Sequence, residues 1–252
     1  MELLDARRLT GKNLIWDHTG AIADLALGDA EDPETVAATW LPIARDTLDA
    51  VGWSDEAATT RRLEGGLSLA ISAPIDALYA ATEVIEWTCA RLAEACGGEP
   101  AEAADAAVER LTGEIAAERN PRLLALQMAA AAQCVAFLSD DDEASVGLGT
   151  GSSTWPVNEL PDSVDWDAVR DIPVGIVTGT NGKTTTVRLI AQMIRAAGLN
   201  AGMSSTDWIG VNGDIIERGD WSGPGGARAI LRRPEVDIAV LETARGGLLR
   251  RG

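Results

Sequence analysis

Basic residues, cysteine and most aromatic types are scarce in this sequence of 252 residues, and each shortage narrows what the chain can do. Lysine and arginine together number 21 against 39 aspartates and glutamates, a formal net charge of −18. A surface for nucleic acid or for an anionic membrane needs the reverse balance, so neither is expected as a partner. The acidity reads as a solvated surface, and it would attract a basic substrate. Cys89, Cys96 and Cys134 are too few and too widely spaced for a metal site. Their apolar helical surroundings predict buried free thiols in a reducing cytosol. The only histidine, His18, stands in a polar turn and is not expected to act in chemistry. Nor is there a comfortable membrane span: the longest uncharged run, Leu123 to Ser139, contains Gln127 and Gln133 and reads as a buried helix. Met1-Glu2-Leu3-Leu4-Asp5 lacks the basic start and apolar core of a secretion signal, which predicts a cytoplasmic location. The eight tryptophans are scattered in the manner of packing residues rather than gathered into a stacking site.

What the sequence does contain is the run Gly179-Thr180-Asn181-Gly182-Lys183-Thr184-Thr185-Thr186. Before it comes Ile172-Pro173-Val174-Gly175-Ile176-Val177, which reads as a buried parallel strand, and after it a helical pattern from Lys183 to about Ala197. Strand, glycine turn and helix arrive in the order a phosphate group needs. Glycine lets the backbone turn sharply and aim its N–H groups at phosphate oxygens, and the positive end of the helix dipole adds to the attraction. In such a loop Lys183 reaches the outer phosphates of ATP and the Thr184 hydroxyl sits on Mg2+. Val177 stands where the usual phosphate-loop pattern has its first glycine, so this is a compact variant of that loop.

Further along, Ser204-Ser205-Thr206-Asp207 follows a short apolar stretch. Val236 to Leu241 then reads as a second buried strand that delivers Glu242-Thr243-Ala244-Arg245-Gly246-Gly247 at its end. Towards the amino terminus the chain is alanine-rich, with helical periodicity over Glu34–Val51, Ile75–Cys96 and Ala101–Glu118, and Asn120-Pro121 is a start signal for a fourth helix. The glycine- and serine-rich stretch around Gly147 to Pro156 reads as a flexible junction. The expected organisation is a mainly helical α+β domain over 1–148, a linker over 149–172, and the first part of an α/β nucleotide-binding domain over 173–252.

The loop, the Ser-Ser-Thr-Asp segment and the Glu-Thr-Ala-Arg-Gly-Gly segment together resemble the Mur ligases, and among them the Mur-like half of cyanophycin synthetases. The resemblance covers roughly Pro173 to Gly252. A weaker echo lies in Arg7-Arg8-Leu9-Thr10-Gly11-Lys12-Asn13-Leu14-Ile15-Trp16, which is similar to the opening of those synthetases, with Lys12 in place of an expected proline. Glu64-Gly65-Gly66-Leu67, leading into what reads as an apolar helix, is compatible with the same domain. The ATP-grasp module that those enzymes carry between the two parts has no counterpart here.

The resemblance implies a P-loop Mur-ligase central domain with an incomplete parallel sheet, and ATP and Mg2+ as cofactors. It also implies a reaction in which a carboxylate is phosphorylated and an amine then displaces the phosphate to form an amide. The substrates would be ATP and an amino-acid or peptide carboxylate. Gly179, Thr180, Asn181, Gly182, Lys183, Thr184 and Thr185 would hold the nucleotide. Glu242 would join Thr184 at the metal, with a helix cap or surface carboxylate as its plainer role. Ser205 and Thr206 would lie near the acceptor carboxylate, or serve only as turn residues. Arg245 would neutralise phosphate or bind the carboxyl substrate, or pair with a nearby acid. Mur ligases continue into a further domain, so the chain reads as a fragment of a longer enzyme. A short chain would need a partner or a second copy to complete its sheet, and the alternative function is an ATP-binding module without ligase activity.

Overall fold

The structure, a computed structural model, describes residues 1–244. It divides into two units, residues 1–121 and the chain from Arg122 onward.

In the first unit β1 (Glu2–Leu9) and β2 (Gly20–Ala26) lead to α1 (Pro33–Ala50), followed by β3 (Ala58–Leu63), β4 (Gly66–Ser72), α2 (Leu78–Ala95) and α3 (Ala104–Glu118). Local chemistry starts the first helix: the Asp32 carboxylate accepts the Thr35 N–H at 2.9 Å and proline fills the first helical position. The four strands form an antiparallel sheet in the order β1-β2-β4-β3. Its core gathers Leu67, Leu69 and Ile71 of β4 with Trp40 and Leu48 of α1 and Val84, Ile85 and Leu92 of α2. Trp40 satisfies its buried indole N–H on Thr88 Oγ1 at 2.9 Å. The stretch after Glu64-Gly65-Gly66, expected to lead into an apolar helix, first forms this central strand, and α2 follows it. Gly65, at φ +73°, helps form the tight turn from β3, and Leu67, Leu69 and Ile71 alternate with Ser68, Ala70 and Ser72. The segment from Gly11 to His18 is built around Asn13, whose side chain accepts the N–H groups of Ile15 and Trp16 and donates to the carbonyls of Gly11 and His18.

The second unit opens with α4 (Pro121–Ala132), then β5 (Phe137–Ser139), β6 (Glu143–Val146) and β7 (Ser153–Pro156), which pair as a small antiparallel sheet. There follow β8 (Val174–Val177), α5 (Lys183–Ala196), β9 (Ala201–Ser204), β10 (Trp208–Val211), β11 (Asp214–Arg218), α6 (Pro224–Leu231) and β12 (Ile238–Glu242). These make a mixed five-stranded sheet, β11-β10-β9-β12-β8, in which β9, β12 and β8 are parallel and β10 and β11 antiparallel. The period of two along β12 sends Ala239 and Leu241 into one apolar layer with Ile230 of α6, and Val240 into another with Val187 and Ala191 of α5. Glu242 continues the Val240 row and faces the α5 side.

Four expectations change here. The uncharged run from Leu123 to Ser139 is not one helix: α4 ends at Ala132, Cys134 takes φ +56°, and a strand begins at Phe137. Only Cys89 is buried; Cys96 and Cys134 are exposed. Among the described residues the strand β8 is an edge of the sheet rather than a buried member, and Ile176 is 65% exposed. Finally, residues 149–172 are no free linker. Leu148 and Ile172 enter the same apolar layer as Ile230, and a Cβ on Gly149 would lie 2.4 Å from the Val236 carbonyl oxygen. Glycine is used there for close packing, not for flexibility. Among the described residues no helix is long and apolar enough to cross a membrane.

Candidate functional site

The parallel register places three chain segments side by side at the carboxyl ends of their strands. Glu242 pairs in register with Val177, the last residue before the glycine loop, and Leu241 with Ser204, the last residue before the Ser205–Trp208 turn. Such strand ends, where loops converge, are where open α/β sheets present ligands. At the loop itself Gly179 takes φ +148° and Gly182 φ +77°, conformations that side chains resist, and α5 begins directly after Gly182 without a side-chain cap. A Cβ on Gly182 would meet nothing within 4 Å, so its glycine serves the backbone conformation rather than local crowding. Thr178 to Gly182 and Thr185 are exposed.

The first helical turn then meets the other two segments. The Thr184 hydroxyl donates to Glu242 Oε2 at 2.8 Å, and the Thr184 and Thr206 hydroxyl oxygens lie 3.2 Å apart. The Thr206 N–H donates to the same Glu242 oxygen at 3.3 Å. With the Thr184 proton directed at Glu242, the Thr206 hydroxyl is the donor between the two threonines. Lys183 Nζ stands 3.9 Å from Glu242 Oε1, an ion pair too long for a hydrogen bond. The Glu242 side chain is only 1% exposed. A buried carboxylate needs compensating charge, and one lysine at that distance compensates it incompletely. Three hard oxygen donors converging beside a phosphate-type loop suit Mg2+, which is commonly held by one or two carboxylates together with substrate phosphates and water. Among the described residues no group of three or more His, Cys, Asp or Glu could hold a metal by protein side chains alone.

Of the residues expected from sequence, Lys183, Thr184, Thr206 and Glu242 therefore meet. Ser205 does not join them: its hydroxyl donates to the Trp208 carbonyl at 2.9 Å and accepts the N–H groups of Asp207 and Trp208, which makes it the internal tie of the turn. Arg245 lies outside the described residues. His18 belongs to the first unit, is exposed and stacks edge-on against Trp16 at 5.4 Å. Sequence reasoning missed Arg188, which donates to the Asp207 carboxylate and lies 3.9 Å over the Trp208 ring. The available signal was spacing, because Arg188 is one helical turn beyond Thr184 on the same face of α5.

Residues 177–249 match the Mur ligase middle domain. A stretch of 81 residues, 32% of this chain, is 57% identical to the cyanophycin synthetase of Synechocystis sp. (strain ATCC 27184 / PCC 6803 / Kazusa) and spans 9% of that protein. The cyanophycin synthetase of Geminocystis herdmanii (strain PCC 6308) is 54% identical over the same share of each chain. A shorter stretch of 38 residues, 15% of this chain, is 53% identical to the UDP-N-acetylmuramoylalanine–D-glutamate ligase of Synechococcus sp. (strain CC9605), covering 8% of that protein. The carboxy-terminal part of the chain is thus Mur-like, of the kind found in cyanophycin synthetases, and it matches only a small share of those proteins' length.

Proposed function

We propose that the chain carries the ATP-handling part of an ATP-dependent carboxylate–amine ligase. The observation that supports this most strongly is the meeting of Thr184, Thr206 and Glu242 beside Lys183, because a purely structural turn has no use for a buried carboxylate facing a lysine and two hydroxyls. In this reading the backbone N–H groups of Gly179 to Thr185 and the start of α5 hold the phosphates of ATP. Lys183 bears on the outer phosphates, where positive charge is worth most as the γ-phosphoryl moves to the substrate carboxylate. Thr184 and Glu242 would hold Mg2+, with Thr206 beside them. Bound there, Mg2+ supplies charge neutralisation on the phosphates. The product of that transfer is an acyl phosphate, in which phosphate has become a good leaving group. An amine then attacks the acyl carbon, and amide, ADP and inorganic phosphate result. The acceptor is an amino-acid or peptide carboxylate, and the acidic chain favours a basic amine such as that of arginine.

Calorimetric titration of the chain with ATP in excess Mg2+ tests the reading. Saturable binding is expected, and Lys183→Ala should weaken it by at least tenfold while leaving the thermal unfolding midpoint in place. No binding by the unsubstituted chain, or equal binding by the alanine variant, would sink the proposal.

A further inference from the structure

We propose that Arg188 is a positioning residue that acts through Asp207 and Trp208: it holds the Thr206 turn against α5 and so sets the Mg2+-dependent part of nucleotide affinity. This rests on the ATP and Mg2+ reading of the site. The argument begins with the geometry of one helix. Thr184 and Arg188 leave the same face of α5, one turn apart, and contact adjacent residues of the same short turn. Thr184 meets Thr206 at 3.2 Å. Arg188 takes the next two residues: its guanidinium donates to the Asp207 carboxylate and stacks on Trp208 with its carbon 3.9 Å from the ring centroid. A planar guanidinium can make both contacts at once, whereas an ammonium cannot lie flat on the ring while reaching the carboxylate.

The rest of the turn is held in other directions. Ser205 ties it internally. The N–H groups of Gly219 and Trp221 donate to the carbonyls of Asp207 and Ser205 at 2.9 Å, which anchors the turn to residues 219–221, and Trp208 packs against the apolar layer of Val187 and Ala191 on α5. Arg188 adds a hold on Asp207 that the apolar contact of Trp208 does not supply. With the turn drawn in, the Thr206 N–H and hydroxyl stand at Glu242 and Thr184 before any ligand arrives. Groups one layer behind a metal site commonly change its affinity by roughly 10–100-fold through such orientation. The Arg188 and Asp207 side chains are 40% and 53% exposed, so their ion pair contributes little to global stability. Its removal should leave the unit folded and the turn free to move.

The test compares ATP affinity in excess Mg2+ and in EDTA for the unsubstituted chain, Arg188→Ala, Asp207→Asn, the double variant and Arg188→Lys. Arg188→Ala and Asp207→Asn are each expected to lose about tenfold in Mg2+ and less than about twofold in EDTA. The double variant should be no weaker than either single one, because both break the same clamp. Arg188→Lys should recover part of the loss, since charge remains on Asp207 without the flat stack, and it carries the test if the alanine variant fails to fold. Without nucleotide or metal, the amides of residues 205–208 should exchange hydrogen faster in Arg188→Ala. Unchanged Mg2+-dependent affinity in folded variants, or equal losses with and without Mg2+, overturns the clamp alone. No ATP binding by the unsubstituted chain overturns the reading of the site and the clamp with it.

Discussion

Glu242, at the end of β12, and Cys89, inside α2, are both buried, and their surroundings set them to opposite uses. Glu242 accepts from the Thr184 hydroxyl and the Thr206 N–H and stands near the Lys183 ammonium at the carboxyl end of β12, beside the glycine loop. Cys89 sits in the apolar core of the first unit, and burial pushes its thiol up to about 12. Because the thiolate is the nucleophile, only roughly one Cys89 in ten thousand is reactive at about pH 8. Iodoacetamide at that pH should modify the exposed Cys96 and Cys134 and spare Cys89 until the chain is denatured, as read by mass spectrometry. Rapid modification of all three in the native chain would contradict the burial. Lys183 and Thr184 could be singled out from sequence because a lysine and threonine pair after a glycine turn has few other uses, and Glu242 by its strand-end position and the family resemblance. Helical spacing put Arg188 beside Thr184 on one face of α5 but did not show its partners, which lie 19 and 20 positions away with nothing in the sequence to mark them as neighbours. All three cysteines were expected to be buried because helical periodicity shows which face is apolar but not where the helix leaves the core.

Between secondary-structure elements, Asp140 ties a turn to a helix. It lies in the turn between β5 and β6, accepts the N–H of Glu143 at 2.9 Å, and receives Arg232 at 2.6 Å from the end of α6, with Arg228 at 3.2 Å. Burial, the largest single influence on it, acts to raise its pKa. The turn N–H groups and Arg232 together outweigh that and hold the carboxyl below its ordinary value of 3.8. A depressed folded pKa stabilises the fold fully above the unfolded value, and the stabilisation is lost as pH falls through the folded one. Asp140→Asn should therefore cost about 1–2 kcal/mol in urea unfolding at neutral pH. The gap from the parent should narrow as pH drops below 3.8; a constant gap would show that charge is not the cause. The long helices were readable from apolar spacing and, for α4, from Asn120-Pro121. Strand β4 was not, although the alternation of Leu67, Leu69 and Ile71 with smaller residues was present. It was read only as the lead into the apolar helix that follows it.

Across the chain as a whole, composition located a boundary in the wrong place. Glycine and serine around Gly147 to Pro156 suggested a linker, but the chain divides into its two units after residue 121 and these glycines pack tightly inside the second. A chain of residues 1–121 should fold alone, with Trp40, Trp53 and Trp87 reporting a cooperative urea transition by fluorescence. A chain cut at 148 should be less soluble, because Leu148 then loses the apolar layer it belongs to and β6 loses its partner β7. Better solubility and cooperativity in the longer piece would refute that boundary. The sequence alone determined the chemistry of the glycine loop, since backbone conformation, lysine and threonine are all local to one strand–turn–helix unit. Only the tertiary structure decided which residues face that loop. Thr206 and Glu242 lie 22 and 58 positions from Thr184, and they reach it because the strand order β9-β12-β8 sets the carboxyl ends of three separate segments side by side.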